Sequence, residues 1–277
     1  MGGSLAADLV VIGAECPGER AFAASAAAGR GARLLAGALP GAWYDGALPP
    51  GRVALVPPDA EANTMLTAVQ EAAARDGRFL LVCLLGRLVA DPRMRRLALV
   101  TAGSSRDNAY RRGLAWDWVV SAMVHGGHAE TLLLVDAVVD REVWESLGHE
   151  GGPGELLEHS RVPLWGCVAP WTPGRRGRDA AQPGAEGSFS DAVAGLLAGG
   201  VEGYPAAVSP ADLHPAVCER LGVRERTGAR LVAPAQGGRL LLRNPAALRG
   251  KLRGMPVSEE LLAVLGRKDS PIRPPSA

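Results

Sequence analysis

The sequence predicts an α/β fold, with a mostly parallel central sheet and helices on both faces. Two observations carry this expectation. Short runs rich in Val and Leu recur at residues 9–12, 53–56, 79–85, 97–101 and 131–135, with a less pure sixth at 164–169. They do not alternate in polarity, which suits strands buried on both faces. Between them lie segments with apolar residues at helical spacing, punctuated by Gly, Pro and Asp. Strand and helix patterns alternating in this way belong to a doubly wound sheet.

The helical segments follow in order. Pro57-Pro58-Asp59 ends a strand and offers Asp59 as an N-cap; Leu66, Val69 and Ala73 follow at helical spacing, and Gly77 closes the helix. A second helix is predicted over residues 115–124, with Trp118, Val119 and Met123 toward the core. A third covers residues 188–198, striped by Phe189, Val193 and Leu196 and stopped by Gly199-Gly200. A fourth has Ser209 as its cap, Pro210 at its first position, and Leu213 and Val217 on its apolar side. Residues 172–187 combine Pro, Gly and charge without periodicity and read as a loose loop. Residues 230–233 and 239–242 flank Gln236-Gly237-Gly238, which suggests a hairpin. Residues 1–250 read as a single domain and 251–277 as a C-terminal extension with a disordered end.

Composition narrows the functional classes. Of 277 residues, 47% are hydrophobic, so a sizeable core can form. Thirty basic and 29 acidic side chains leave a net charge of +1, and no overall field draws in nucleic acid or anionic lipid. The N-terminus lacks a basic signal-peptide region, and no apolar stretch reaches membrane-spanning length. Cys16, Cys83, Cys167 and Cys218 form no CxxC pair. They read as reduced, mostly buried thiols, and the sequence predicts a cytoplasmic protein.

Familiar chemical motifs are missing. There is no G-x-G-x-x-G, no P-loop and no G-x-S-x-G elbow, so no cofactor is expected. His125 and His128 in VHGGH supply two ligands without a third, and a solvated turn is the expectation there rather than a metal site. His149, His159 and His214 are isolated, and the basic groups Arg93, Arg95, Arg96 and Arg111, Arg112 read as solvated.

In an open α/β sheet the carboxyl ends of the strands carry the site. Those ends are Gly13-Ala14-Glu15-Cys16, Gly86-Arg87-Leu88 and Asp136-Ala137-Val138. Here the segments FLLVCLLGRLVAD, RRLALVTAGSSRDNAYRRGLAWDWVVSAM and TLLLVDAVVD resemble the core of bacterial caspase-like peptidases of actinobacterial type. LWGCVAP, GSFSDAVAGLLAGGVEG and VSPADLHPAVCERL resemble later parts of the same family, so the similarity runs over about residues 5–245. The resemblance implies a caspase-like three-layer sandwich. In that family one strand ends in Gly-His-Gly, whose His is the general base, and another ends in Asp-Cys-Cys or Asp-Ser-Cys, whose last Cys is the nucleophile.

This chain departs from the pattern where the chemistry resides. The family's His falls on Arg87 and its second Gly on Leu88; its nucleophile falls on Val138. Arg87 and Val138 are 51 residues apart, close to the roughly 50-residue spacing of caspase His and Cys. A cysteine peptidase needs a thiolate and a base within hydrogen-bond reach. Val138 has no nucleophilic atom, and Arg87 stays protonated and accepts no proton.

Three functional readings follow. The first is a pseudo-peptidase that binds a protein or peptide and acts as a scaffold or regulator. It would work as a homodimer or paired with an active caspase-like protein, without nucleic acid or membrane. The second is an enzyme of other chemistry, binding a small molecule or anion through Asp136, Arg87 and Glu15. The third is a cysteine peptidase with a displaced dyad that includes Cys16. Gly86, Asp136, Glu15 and Cys16 form the expected residual pocket, and Trp144 is the expected plug of the vacated cleft.

Overall fold

The computed structural model describes residues 7–247, leaving aside 18–21, 23–26, 44–51, 92, 94–95, 148, 150–153, 159, 172–181, 223–228 and 235–238. His159, Arg95, the turn at 236–238 and the extension at 251–277 therefore lie outside the described residues.

The chain opens with β1 (Ala7–Gly13), α1 (Ala28–Ala38), β2 (Arg52–Val56), α2 (Ala62–Ala73) and β3 (Gly77–Ala90). There follow β4 (Leu97–Leu99), α3 (Ala109–Arg112), β5 (Leu114–Ala115), α4 (Trp116–Val124) and β6 (His128–Val139). The remainder is α5 (Arg141–Ser146), α6 (Glu155–Glu158), β7 (Leu164–Pro170), α7 (Phe189–Gly199), β8 (Ala207–Val208), α8 (Pro210–Leu221), β9 (Arg230–Val232) and β10 (Leu242–Arg243).

The main sheet has the order β2-β1-β3-β6-β7-β9. Its first five strands are mutually parallel, and β9 is antiparallel to β7. Helices cover both faces, which makes a three-layer α/β sandwich. Val10, Ile12, Val82, Leu84, Leu133 and Val135 pack under Met65 and Val69 of α2 and Val119 and Met123 of α4. Leu9, Val11, Leu81, Cys83, Leu132 and Leu134 meet Leu35 of α1, Phe189 and Val193 of α7, and Leu213 and Val217 of α8. Because side chains alternate across a strand, two-sided burial is what made these runs unbroken hydrophobics. No described helix is long and apolar enough to cross a membrane.

Several expectations need correction. The run at 97–101 is not a parallel strand. β4 pairs antiparallel with the far end of β3, Leu88 opposite Leu99, where β1 has already left β3. The supposed hairpin splits, because β9 edges the main sheet while β10 pairs with β8. Helix α2 starts at Ala62 with Glu61 in the cap position, so Asp59 stays in the preceding turn, and Gly77 opens β3 instead of closing the helix. On α4 the buried indole is that of Trp116, while Trp118 is 54% exposed. Trp116, Val119, Val120 and Met123 form the inward arc, and Trp118 falls on the other side of the turn. Helix α1, whose Ala/Gly-rich sequence carries few large apolar residues, went unpredicted. The cap at Ser209 forms as expected, in a full capping box with Asp212, and Ser188, read as the first residue of its helix, is the N-cap of α7.

Candidate functional site

The strand ends predicted to carry the site lie within longer strands. β3 runs to Ala90 and β6 to Val139, so Gly86, Arg87, Asp136 and Val138 are ladder residues rather than loop residues. Gly86 marks where β1 gives way to β4 as the neighbour of β3. Its φ of +149° is a conformation that side-chain-bearing residues rarely adopt, and a Cβ there would stand 3.0 Å from the Ala14 carbonyl oxygen.

Arg87 is the register partner of Val138, on the face of the sheet that α1 and α7 cover. Both residues are buried. The Arg87 guanidinium donates through Nε to Asp140 Oδ1 at 3.0 Å, and its Nη2 pairs with the same oxygen. It lies 3.9 Å from the ring centre of Trp171 and 5.0 Å from that of Phe22. Asp140 follows β6, Trp171 follows β7 and Phe22 lies beyond β1. A cation near two aromatic faces and tied to a carboxylate joins the segments that follow β1, β6 and β7 to β3.

Trp144 does not plug this place. It sits on α5 and packs against the cluster on the opposite face of the sheet, because the chain crosses over the sheet end after Val139. The rings over the Arg87 guanidinium are instead those of Trp171 and Phe22.

Asp136 is buried two residues before Val138, and its carboxylate serves the start of α7. Oδ2 accepts the Ser190 N–H at 3.0 Å, the Gly184 N–H at 3.2 Å and the Ser190 hydroxyl. Burial pushes its pKa up from the ordinary value, against the lowering effect of those bonds. Glu15 serves another helix. Its Oε1 accepts the Gly29 N–H at 2.9 Å in the first turn of α1. The carboxylates of Asp136 and Glu15 each accept backbone N–H groups at a different helix start, and the Arg87 guanidinium is bound to Asp140. The Cys16 thiol is buried and donates to the Ser104 carbonyl at 3.2 Å, beside Phe22, Val89 and Val100. Of the expected pocket, Cys16 alone shares a packing cluster with the ring that covers Arg87.

Two further thiols, Cys83 and Cys167, are buried as well. Burial raises the pKa of Cys83 and of Cys167 far above that of an exposed thiol.

The sequence missed the buried polar cluster at the opposite end of the strands, where β1 and β6 begin. His128 is not in a solvated turn; it opens β6 with its side chain fully buried, and its Nε2 lies 3.0 Å from Asp8 Oδ2. Asp8 Oδ1 accepts from Arg75 at 2.9 Å, and Arg52 approaches it at 3.7 Å. An Asp inside an apolar strand was the available signal, since a buried carboxylate demands partners. His125 remains exposed at the end of α4. Among the described residues, no group of three or more His, Cys, Asp or Glu side chains is placed to hold a metal.

A hollow lies elsewhere, among the described residues. It is a groove of about 590 Å³ between α2 and α4, lined by Leu66, Gln70, Trp118, Ser121 and His125 among others. No protein-family model and no curated protein matches the chain.

Proposed function

We propose that the chain is a catalytically inactive caspase-like protein, a pseudo-peptidase that works in the cytoplasm as a protein-binding, scaffolding or regulatory module. One observation carries this reading. The two positions that the resemblance assigns to the base and the nucleophile, Arg87 and Val138, are direct partners on neighbouring parallel strands. A dyad would need that adjacency, and here it joins a permanent cation to a hydrocarbon. The guanidinium is also held by Asp140 and covered by two rings, so a peptide has no room to approach the sheet at this point.

The small-molecule alternative draws no support from the geometry. A ligand held by Asp136, Arg87 and Glu15 would need their charged groups to face one space, and each has its own partners within the fold.

The test uses the full chain. It is incubated with arginyl, lysyl and aspartyl reporter peptides and with a thiol-directed activity probe, and is separately used to capture partners that are then rebound in purified form. No cleavage, no probe labelling and one saturable protein partner are expected. Cleavage that disappears in Cys16→Ser would overturn the inactive reading, and failure of any protein to bind would overturn the scaffolding one.

A further inference from the structure

We propose that residues 257–266 of this chain dock as a short helix in the groove between α2 and α4, against Trp118. The inference rests on that groove and on the sequence after Ala247, not on the reading of Arg87 and Val138.

The groove has the dimensions and chemistry of a helix site. Helix α2 leads into β3 and α4 into β6, so both run the same way and end where those parallel strands begin. The lining is small at Ala73, Ala122 and Gly126 and apolar at Leu66 and Trp118. Small residues let another helix come close. Trp118 is 54% exposed, more than any other large hydrophobic side chain among the described residues. An uncovered indole beside an apolar hollow is the kind of side chain that anchors an interface. From Trp118 to Gly126 the groove follows α4 for about 12 Å.

The chain's own sequence supplies a matching occupant. In VSEELLAVLG, residues 257–266, Ser258 is an N-cap, Val257 and Leu262 form a hydrophobic staple, and Gly266 is the closing glycine. Leu261, Leu262, Val264 and Leu265 share one side of such a helix, and Glu259, Glu260 and Ala263 take the other. The turns over 258–265 would be about 12 Å long, the length of the groove. A helix this short is not stable alone, so its apolar side needs a surface on which to form.

Reach and direction agree. Helix α7 starts over Asp136 and runs back toward the strand starts. The last described residues lie beside its end, where Asn244 donates to the Val201 carbonyl at 2.9 Å, and the Arg239 N–H donates to Glu130 near the start of β6. The chain therefore leaves from the end of the sheet at which α2 and α4 stop, on the other face. Residues 248–256 span up to about 30 Å, against roughly 20 Å between helix layers lying on either side of a sheet. Entering there, the segment runs antiparallel to α2 and α4. It brings Arg267 and Lys268 to the starts of those helices, where Glu61 and Asp117 stand. A short tether holds it at millimolar effective concentration, which favours it over the same segment of a second copy.

Thiol labelling of the full chain tests this. Cys218→Ser/Ser121→Cys places a reporter thiol in the groove. Its reaction with a bulky maleimide should be about tenfold slower than when Leu261→Asp/Leu265→Asp is added, at every protein concentration from about 1 to about 100 μM. A synthetic peptide of residues 257–268, at millimolar concentration, should restore protection to the Asp-substituted chain. The reciprocal measurement is proteolysis: Trp118→Asp, with an unchanged circular dichroism spectrum, should speed thermolysin cleavage within residues 261–265 several-fold. Equal labelling with and without the Asp substitutions overturns the proposal, as does a peptide without effect or unchanged cleavage in Trp118→Asp. Protection that grows with protein concentration also overturns it, because a second copy would then fill the groove.

Discussion

Arg87 and Asp136 show how one residue's surroundings decide its role. In Arg87 the buried guanidinium, the half-buried Asp140 and two aromatic rings form one assembly, so removing a single member strands the others. Arg87→Ala should cost about 3 kcal/mol in a denaturant titration, because it leaves the Asp140 carboxylate without its cation. Arg87→Met/Asp140→Asn removes both charges together and should recover most of that loss, since a well-packed hydrophobe often replaces a buried ion pair at little cost. Asp136 makes the opposite point. Its three donors need an acceptor, but not a charged one. Asp136→Asn should therefore change stability at neutral pH by less than about 1 kcal/mol, while Asp136→Ala, which orphans two buried N–H groups, should cost about 2–4 kcal/mol. The sign of the pH effect follows from the raised pKa. The folded protein holds this proton more tightly than the unfolded chain, so the contribution is full below 3.8 and is lost as pH rises through the folded value. Asp136→Asn should abolish that slope in a series of melting temperatures. Neither residue's partners were legible from sequence, because Asp140 and Trp171 are brought to Arg87 only by strand register.

At the scale of elements, what the sequence displayed depended on how each segment is buried. Strands covered on both faces announce themselves as unbroken Val and Leu, and β1, β3, β6 and β7 were located that way; β2, half-exposed at the end of the sheet, carries the same kind of run. The same rule stopped β3 and β6 too early, since Arg87 and Asp136 interrupt the apolar runs although both strands continue. Capped helices were equally legible: Ser188 and Ser209 fixed the starts of α7 and α8. Helix α1 escaped because it packs closely through small residues. At its crossing with α7, a Cβ on Gly31 would run into the Gly184 backbone, Leu85 and the Ser190 hydroxyl. Gly31→Val should therefore destabilise by more than about 2 kcal/mol despite the better helix propensity, a cost of overpacking readable in the chemical midpoint. The docking of α8 carries a pH signal. Trp165 on β7 donates its indole N–H to His214 Nδ1 at 3.2 Å, which requires a neutral imidazole acceptor. Burial lowers the pKa of His214 from 6.5. The stability it confers is thus complete above 6.5 and is lost as pH falls through the folded value. Melting temperature followed by tryptophan fluorescence should drop across that window, and His214→Gln should flatten the dependence.

For the whole molecule, the four thiols make a reporter of how tightly the sandwich holds its strand ends. Cys83 lies in the middle of the sheet, Cys167 beneath α7 and α8, and Cys16 at the rim under Phe22, while Cys218 on α8 is partly exposed. A thiol reacts as its thiolate, and burial raises the pKa of Cys83, Cys167 and Cys218 alike. The native chain should therefore give at most one equivalent of slow reaction with a chromogenic disulfide, assigned by its loss in Cys218→Ser. The other three should react only as fast as the molecule opens, and denaturant should release all four. Cys16 distinguishes opening of the rim from opening of the whole. Phe22 packs on Cys16 and also covers the Arg87 guanidinium, so the two sites share one ring. Arg87→Ala should accelerate labelling of Cys16 several-fold more than that of Cys83, because the rim loosens while the sheet stays intact. Equal acceleration at both thiols would mean that the arginine holds the entire sandwich together, and that the rim has no separate motion.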